Sequence, residues 1–336
     1  MAESAPPSGI LALCVLGPTG TGKTDLALRL AGEFPVEIVS VDSAMVYRHM
    51  DVGTAKPSAG LRNAVAHHLI DVRDPWETYS AGQFRDDAYR VMREIHSRGR
   101  VPLLVGGTML YFRALFRGLA PLPAADVEVR ARIDREAIER GWPALHAELR
   151  LADPDAAARI NPSDRQRIQR ALEVFLLTGQ RISSLQQLGK PAQNVRFLRI
   201  ALVPGDRREL YRRLDARLAE MVRSGLVAEV ERLKGLPLMS VDCPAMRAVG
   251  YRQIWKYLAG EMLLEDAVRE AAVATRRLAK RQLTWLRSET VDLELDAMAP
   301  DAPRRAALAV EAAGVSRLTE RCNIIDQPLE CREHGV

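Results

Sequence analysis

The amino-acid sequence predicts an α/β fold: a parallel sheet flanked by helices and interrupted by an all-α insertion. Three observations predict it. Short apolar runs recur at Ile10–Leu16, Glu37–Val41 and Val101–Val105, as in strands buried on both faces of a sheet. The first run leads through a Gly-rich turn into an amphipathic segment from Asp25 to Ala31, a strand–loop–helix order that implies parallel pairing. From about Pro121 to Lys190 the strand signal disappears and helical periodicity remains.

Along the chain, the second run ends in Asp42-Ser43 and the later one in Gly106-Gly107-Thr108, with His68–Val72 a further strand. Ligands of parallel sheets sit at the carboxyl ends of the strands, where Asp42 and Thr108 fall. The insertion reads as helices over Asp126–Arg140, Pro143–Leu151 and Ser163–Leu177, the last with Ser163 and Gln166 as a capping box and Gly179 as its stop. Phe197–Val203 resumes the sheet, and long helices follow over Asp206–Lys234 and Leu263–Arg287. The expected organisation is a discontinuous core of residues 9–120 and 195–315, an insertion of residues 121–194, and a loose tail from 316 to 336.

Composition removes several classes. At 336 residues, 47% hydrophobic and 27% charged, the chain is neither disordered, collagenous nor a coiled coil. Its longest apolar run, Ile10–Leu16, is far below the roughly 18 residues of a membrane span, and no Lys or Arg precedes it to mark a signal peptide. A cytoplasmic protein is expected. Cys14, Cys243, Cys322 and Cys331 form no C-x-x-C pair, and Cys331 with His334 lacks a second pair at zinc spacing. The net charge is +5, and only six of the 48 basic residues are lysine. Arginine forks suit phosphate, although an Ala- and Arg-rich chain also reflects genome composition.

Gly17-Pro18-Thr19-Gly20-Thr21-Gly22-Lys23-Thr24 matches G-x-x-x-x-G-K-[ST], directly after a strand and before a helix. Glycines let successive N–H groups curl around phosphate oxygens at a helix N-terminus, Lys23 adds a point charge, and Thr24 offers a hydroxyl to Mg²⁺. The fold class is therefore P-loop NTPase-like, and the ligand a di- or triphosphate. Val101–Val105 ends in Gly-Gly-Thr and not in a Walker-B aspartate, which weighs against hydrolysis. Asp42 is placed to accept a proton or hydrogen bond from a nucleophile, or simply to cap a turn. Arg217 lies on the apolar stripe of Leu210, Leu214, Leu218 and Met221. A cation there needs an anion, either an internal carboxylate or a bound phosphate. A small-molecule kinase and an RNA-binding protein without catalysis remain compatible with these features.

Three strings accompany the loop: V-S-V-D-S-A-M-V-Y-R-H-M-D-V-G-T-A-K-P at 39–57, V-G-G-T-M-L-Y at 105–111 and R-A-V-G-Y-R-Q at 247–253. In order and spacing, over roughly residues 10–290, the chain resembles the tRNA dimethylallyltransferases, which modify the adenine beside the anticodon. The loop reads P-T-G-T-G-K-T where that family commonly has P-T-A-S-G-K-T, and the zinc finger of its eukaryotic branch is absent, so the bacterial type is indicated.

The resemblance implies transfer of a dimethylallyl group from dimethylallyl diphosphate to N6 of adenosine 37, in tRNAs reading codons that begin with U. It implies Mg²⁺ at Thr24, diphosphate in the loop, and Asp42, Thr108 and Arg217 as catalytic residues. The target base would be flipped into a channel between core and insertion, and the insertion would grip the anticodon stem-loop. Residues expected at tRNA are Asp42, Ser43, Ala44, Met45, Thr108, Arg130, Gln166, Arg167, Ile168, Gln169, Arg170, Arg247, Gly250, Tyr251, Arg252, Lys280, Arg281, Gln282, Trp285 and Arg287. Arg276, Arg277, Lys280, Arg281 and Arg287 make a basic strip late in their helix, and Trp285 suits either base stacking or core packing. A monomer without an obligate protein partner or membrane attachment is expected.

Overall fold

The structure, a computed structural model, describes residues 9–186 and 194–319. It divides into two compact units, one of residues 9–112 with 194–319 and one of residues 113–186. The elements in chain order are β1 (Ile10–Leu16), α1 (Lys23–Glu33), β2 (Val36–Val41), α2 (Ala59–Ala64), β3 (His67–His68), α3 (Ala81–Ser97), β4 (Val101–Gly106) and α4 (Met109–Arg117). Next come α5 (Val127–Arg140), α6 (Trp142–Ala152), α7 (Pro154–Arg159), α8 (Arg165–Thr178) and α9 (Ile182–Gln186). The chain continues with β5 (Val195–Val203), α10 (Arg207–Arg223), α11 (Leu226–Lys234), α12 (Tyr251–Leu258), α13 (Leu264–Leu286), β6 (Leu293–Asp296) and α14 (Ala302–Ala312).

In the first unit six strands form one sheet in the order β3-β2-β4-β1-β5-β6, and every pairing is parallel. Apolar β1 lies in its middle because burial on both faces rewards such a sequence. Leu13, Val15, Ile38, Leu103, Ile200 and Leu202 pack with Leu26 and Leu30 of α1 and with Ala306 and Val310 of α14. A second core joins Val46 and Met50 to Leu218, Val230, Tyr251, Ile254 and Ala271 of the later helices. Gly106 registers with both Leu16 and Val41. The chain therefore leaves β1, β2 and β4 side by side at the carboxyl end of the sheet, which sets the position of the site.

Among its described residues the only regular secondary structure of the second unit is helix. Ile133, Leu145, Leu149, Ile168, Leu172 and Val174 form its core. Two buried carboxylates are satisfied inside it. Asp153 accepts from Ala156 N (3.0 Å), Ser183 N (2.9 Å) and Ser183 Oγ (2.7 Å), tying α7 to α9. Glu173 accepts from Asp126 N (2.8 Å), Arg130 Nε (2.8 Å) and Arg170 Nη1 (2.6 Å), tying α5 to α8. The unit begins at Arg113, inside α4, earlier than the boundary expected at 120–121.

Four local expectations are corrected. The strand read at His68–Val72 shrinks to His67–His68, because Leu69 and Asp71 adopt φ of 60° and 56° and turn the chain. The helix read over Asp206–Lys234 breaks at Ser224-Gly225, where Gly225 takes φ 99°. Asp164, not Ser163, caps α8 by accepting from Arg167 N at 3.2 Å, while Ser163 bonds to Asn161. The tail is anchored at its start: Leu318 N donates to Glu33 O at 2.8 Å, and Arg317 pairs with Glu33 and Glu311. The remainder of that tail, with Cys322, Cys331 and His334, lies outside the described residues, as do residues 187–193 of the expected insertion. Cys14 and Cys243 are buried free thiols, and no described helix is long and apolar enough to cross a membrane.

Candidate active site

Residues 17–22 connect β1 to α1, which opens with Lys23 and Thr24 and has Gly22 (φ 77°) as its N-cap. Gly20 takes φ 85°, and a Cβ there would stand 2.7 Å from Leu214 Cδ2 of α10, so glycine suits the close pass beneath that helix. Thr21 Oγ1 donates to Pro18 O at 2.9 Å and fixes the bend. Lys23 Nζ also donates to Pro18 O, at 2.7 Å. Burial drives the Lys23 pKa down, Asp42 opposes this, and Arg217 adds to the fall, leaving it at about 8. The Thr24 side chain is exposed and makes no hydrogen bond among the described residues.

Arg217 is brought to the loop by α10, whose Leu210, Leu214 and Leu218 are buried. Burial lowers its pKa, whereas Asp42 and Asp25 favour its charge. Among the described residues it forms no ion pair or hydrogen bond, so the internal carboxylate partner that the sequence allowed is not there. An unpaired, partly buried guanidinium is costly and marks a place for an anion.

Asp42 follows β2. Its Oδ1 accepts from Ala44 N (2.8 Å) and Met45 N (3.4 Å), closing a turn. Among the described residues its second oxygen has no partner. The two sequence readings of Asp42, turn cap and acceptor, thus use different oxygens of one carboxylate. Thr108, after β4, accepts from Ser43 N at 3.0 Å and meets Ser43 Oγ at 3.3 Å. The structure therefore gathers Lys23, Arg217, Asp42 and Thr108 at the carboxyl end of the sheet. No group of three or more His, Cys, Asp or Glu side chains is placed to hold a metal ion among the described residues.

The residues expected at tRNA separate by burial. Arg247, Arg252, Lys280, Arg281 and Arg287 are exposed, and Arg277, Lys280, Arg281, Thr284 and Trp285 line one concave surface on α13. In the second unit Gln166 and Arg167 are exposed, and Gln169 donates to Asp134 at 2.7 Å. Ile168 and Tyr251 are corrections: both are fully buried, so neither side chain reaches a surface ligand. Gly250 is buried at the start of α12 with φ 96°. Arg130 and Arg170 are only partly exposed because they clamp Glu173. Gln282 is also committed internally, accepting from Thr19 N at 3.0 Å and donating to Gly107 O at 2.9 Å.

The family of IPP transferases matches residues 45–289. The tRNA dimethylallyltransferase of Thiobacillus denitrificans is 54% identical over 301 residues, covering 90% of this chain and 96% of the relative. That of Paraburkholderia xenovorans is 52% identical over 303 residues, covering 89% and 96%. The chain belongs to the tRNA dimethylallyltransferase family. Among solved structures similar to it, the tRNA isopentenylpyrophosphate transferase of Bacillus halodurans is 36% identical with a TM-score of 0.64, covering 91% of this chain and 96% of that one. A eukaryotic dimethylallyltransferase, described as acting on tRNA, gives a TM-score of 0.73 at 25% identity, covering 93% and 82%. The resemblance drawn from the sequence strings is thereby established, and with it the P-loop NTPase-like fold class.

Much of the string that resembles tRNA dimethylallyltransferases is structural in this chain. Glu229 of α11, 2% exposed, accepts from the backbone N–H of Asp51 (2.8 Å), Val52 (2.8 Å) and Gly53 (3.1 Å) and from Tyr251 Oη (2.6 Å). Lys56 donates to Tyr47 O (3.0 Å), Asp51 (2.6 Å) and Asp71 (2.6 Å). These bonds hold the segment after Asp42 in place. Sequence reasoning missed Glu229 and Glu173, because a buried carboxylate whose partners lie far along the chain leaves no local pattern.

Proposed function

We propose that this chain transfers a dimethylallyl group from dimethylallyl diphosphate to N6 of adenosine 37 in tRNA, as a monomer in the cytoplasm. The observation that carries the reading is the gathering of two cations that form no ion pair among the described residues, Lys23 and Arg217, with a carboxylate, Asp42, that has one oxygen open. Such an arrangement suits a reaction in which an anion departs while a nucleophile gives up a proton. The loop amides, Lys23 and Arg217 receive the diphosphate and stabilise its growing charge as the allylic C–O bond breaks. Preorganised donors of this kind are each worth about 10²–10³ in rate.

The amine of adenine is a weak nucleophile, its lone pair delocalised into the ring. Asp42 accepts the N6 proton as the new C–N bond forms, and Thr108, bonded to the Asp42–Ser43 turn, lines the acceptor side. Mg²⁺ fits this donor set, since it binds through one or two protein oxygens together with phosphate oxygens, and the Thr24 hydroxyl has no competing protein partner among the described residues. When bound, it neutralises charge on the leaving diphosphate.

The exposed cations of α13 and those near Arg247 and Arg252 suit phosphates of an anticodon stem-loop, which gives affinity without reading sequence. The test is label transfer. Prenyl-labelled donor with Mg²⁺ should label tRNA and release diphosphate. Label moving instead from the γ-phosphate of ATP to a small acceptor would support a kinase and overturn the reading.

A further inference from the structure

Gln282 occupies the middle of the basic strip on α13, between exposed Arg281 and Trp285, yet it turns inward. Its single amide spans two loops that are distant in sequence. Oε1 accepts from Thr19 N in the diphosphate loop at 3.0 Å, and Nε2 donates to Gly107 O, the residue before Thr108, at 2.9 Å. The approach is close: a Cβ on Gly107 would stand 2.5 Å from Gln282 Nε2 and 3.1 Å from Gly17 O. The helix supplying the amide is itself anchored to α10, which carries Arg217. Ala279 packs with Leu210 and Leu214, and Arg276 makes two bonds to Asp215 at 3.2 and 3.0 Å.

We propose that Gln282 is a positioning residue that fixes the spacing between the diphosphate loop and the acceptor-side turn, and so the distance over which the prenyl group moves. The proposal rests on the transfer reading above. The amide is suited to the task because it offers an acceptor to one loop and a donor to the other. A carboxylate keeps the acceptor but loses the donor, and a thioether loses both. Small errors in placement are expensive in group transfer, because the rate depends on holding the reactants near attack geometry.

The experiment compares wild type, Q282M and Q282E in the full chain. It reads kcat at saturating donor and tRNA, affinity for inorganic pyrophosphate, affinity for an anticodon stem-loop, and the thermal midpoint. Q282M should lose roughly ten- to a hundredfold in kcat and bind pyrophosphate about tenfold more weakly, with stem-loop affinity changed less than about threefold. Q282E supplies a signature that a merely structural part would not give. As pH falls from about 6.5 to 4, through the ordinary carboxyl range, its introduced carboxyl gains a proton that can be donated to Gly107 O. Its kcat and pyrophosphate affinity, each taken relative to wild type, should therefore recover, while the same ratios for Q282M stay flat.

Unchanged kcat with weakened stem-loop binding would make Gln282 an RNA contact and overturn the proposal. A loss of turnover in step with a lowered thermal midpoint, with flat Q282E ratios, would overturn it as well. Wild type failing to prenylate tRNA would sink the transfer reading alone, since the pyrophosphate ratios test the loop geometry without it.

Discussion

The Arg217 guanidinium lowers the pKa of the Lys23 ammonium, and Asp42 is the carboxylate that favours the charge of both. With no ion pair of its own among the described residues, Arg217 is a poised cation that costs folding energy until an anion arrives. Arg217→Met should therefore leave the thermal midpoint unchanged or raised, while weakening inorganic pyrophosphate binding by about tenfold or more. Titration calorimetry and thermal melts check it. A lowered midpoint with intact pyrophosphate affinity would mean that the guanidinium serves the fold.

Asp42→Asn separates the two uses of that side chain. The amide oxygen can still accept from Ala44 N and Met45 N, so the turn should persist. Without the carboxylate, turnover should fall by about 10²–10⁴. Stem-loop affinity, measured by filter binding, should stay within about threefold, because this contact carries little of the phosphate-dominated binding. Near-normal turnover would remove Asp42 as the proton acceptor.

Tyr251→Phe tests the correction at α12. The phenol donates to buried Glu229 at 2.6 Å, and its removal should cost about 1–3 kcal/mol in urea denaturation. Stem-loop binding should be unaffected beyond that loss. A selective fall in RNA affinity at unchanged stability would restore Tyr251 to the RNA surface.

Glu173 gives a pH-dependent signature in the helical unit. Burial alone would raise its pKa, but hydrogen bonds from Arg130 and Arg170 and from the Asp126 amide outweigh burial and hold it below the ordinary 4.5. A carboxyl with a folded pKa below its unfolded one stabilises fully above the unfolded value, and the contribution disappears as pH drops through the folded value. Glu173→Gln should cost about 2 kcal/mol at neutral pH, and the difference from wild type should shrink below about pH 4.5. Amide exchange in α8 measures it. A difference that holds constant from pH 7 to 3 would contradict the clamp.

What could be read from the sequence, and what could not, follows from how far each determinant reaches along the chain. The Gly-rich loop at 17–24 was legible because its glycines, Lys23 and Thr24 are fixed by the turn they build together. Asp42 was legible from its place after an apolar run, and Arg217 from the leucines around it on one helical stripe. Gln282 was legible as part of a basic strip but not in its role, since its partners lie 263 and 175 residues away and are backbone atoms with no side-chain signature. Arg130 and Glu173, 43 residues apart, hid one another for the same reason, so a basic residue that builds the helical unit read as one facing RNA. At His68–Val72 apolar character pointed to a strand, but positive φ at Leu69 and Asp71 is a tertiary outcome that no periodicity reports.

The most direct measurement is mass spectrometry of tRNA digested to nucleosides after incubation with the protein, Mg²⁺ and dimethylallyl diphosphate. Dimethylallyl transfer requires one adenosine beside the anticodon to gain a single five-carbon unit, with an equal amount of diphosphate released. Unmodified tRNA alongside orthophosphate set free from a nucleoside triphosphate would contradict it.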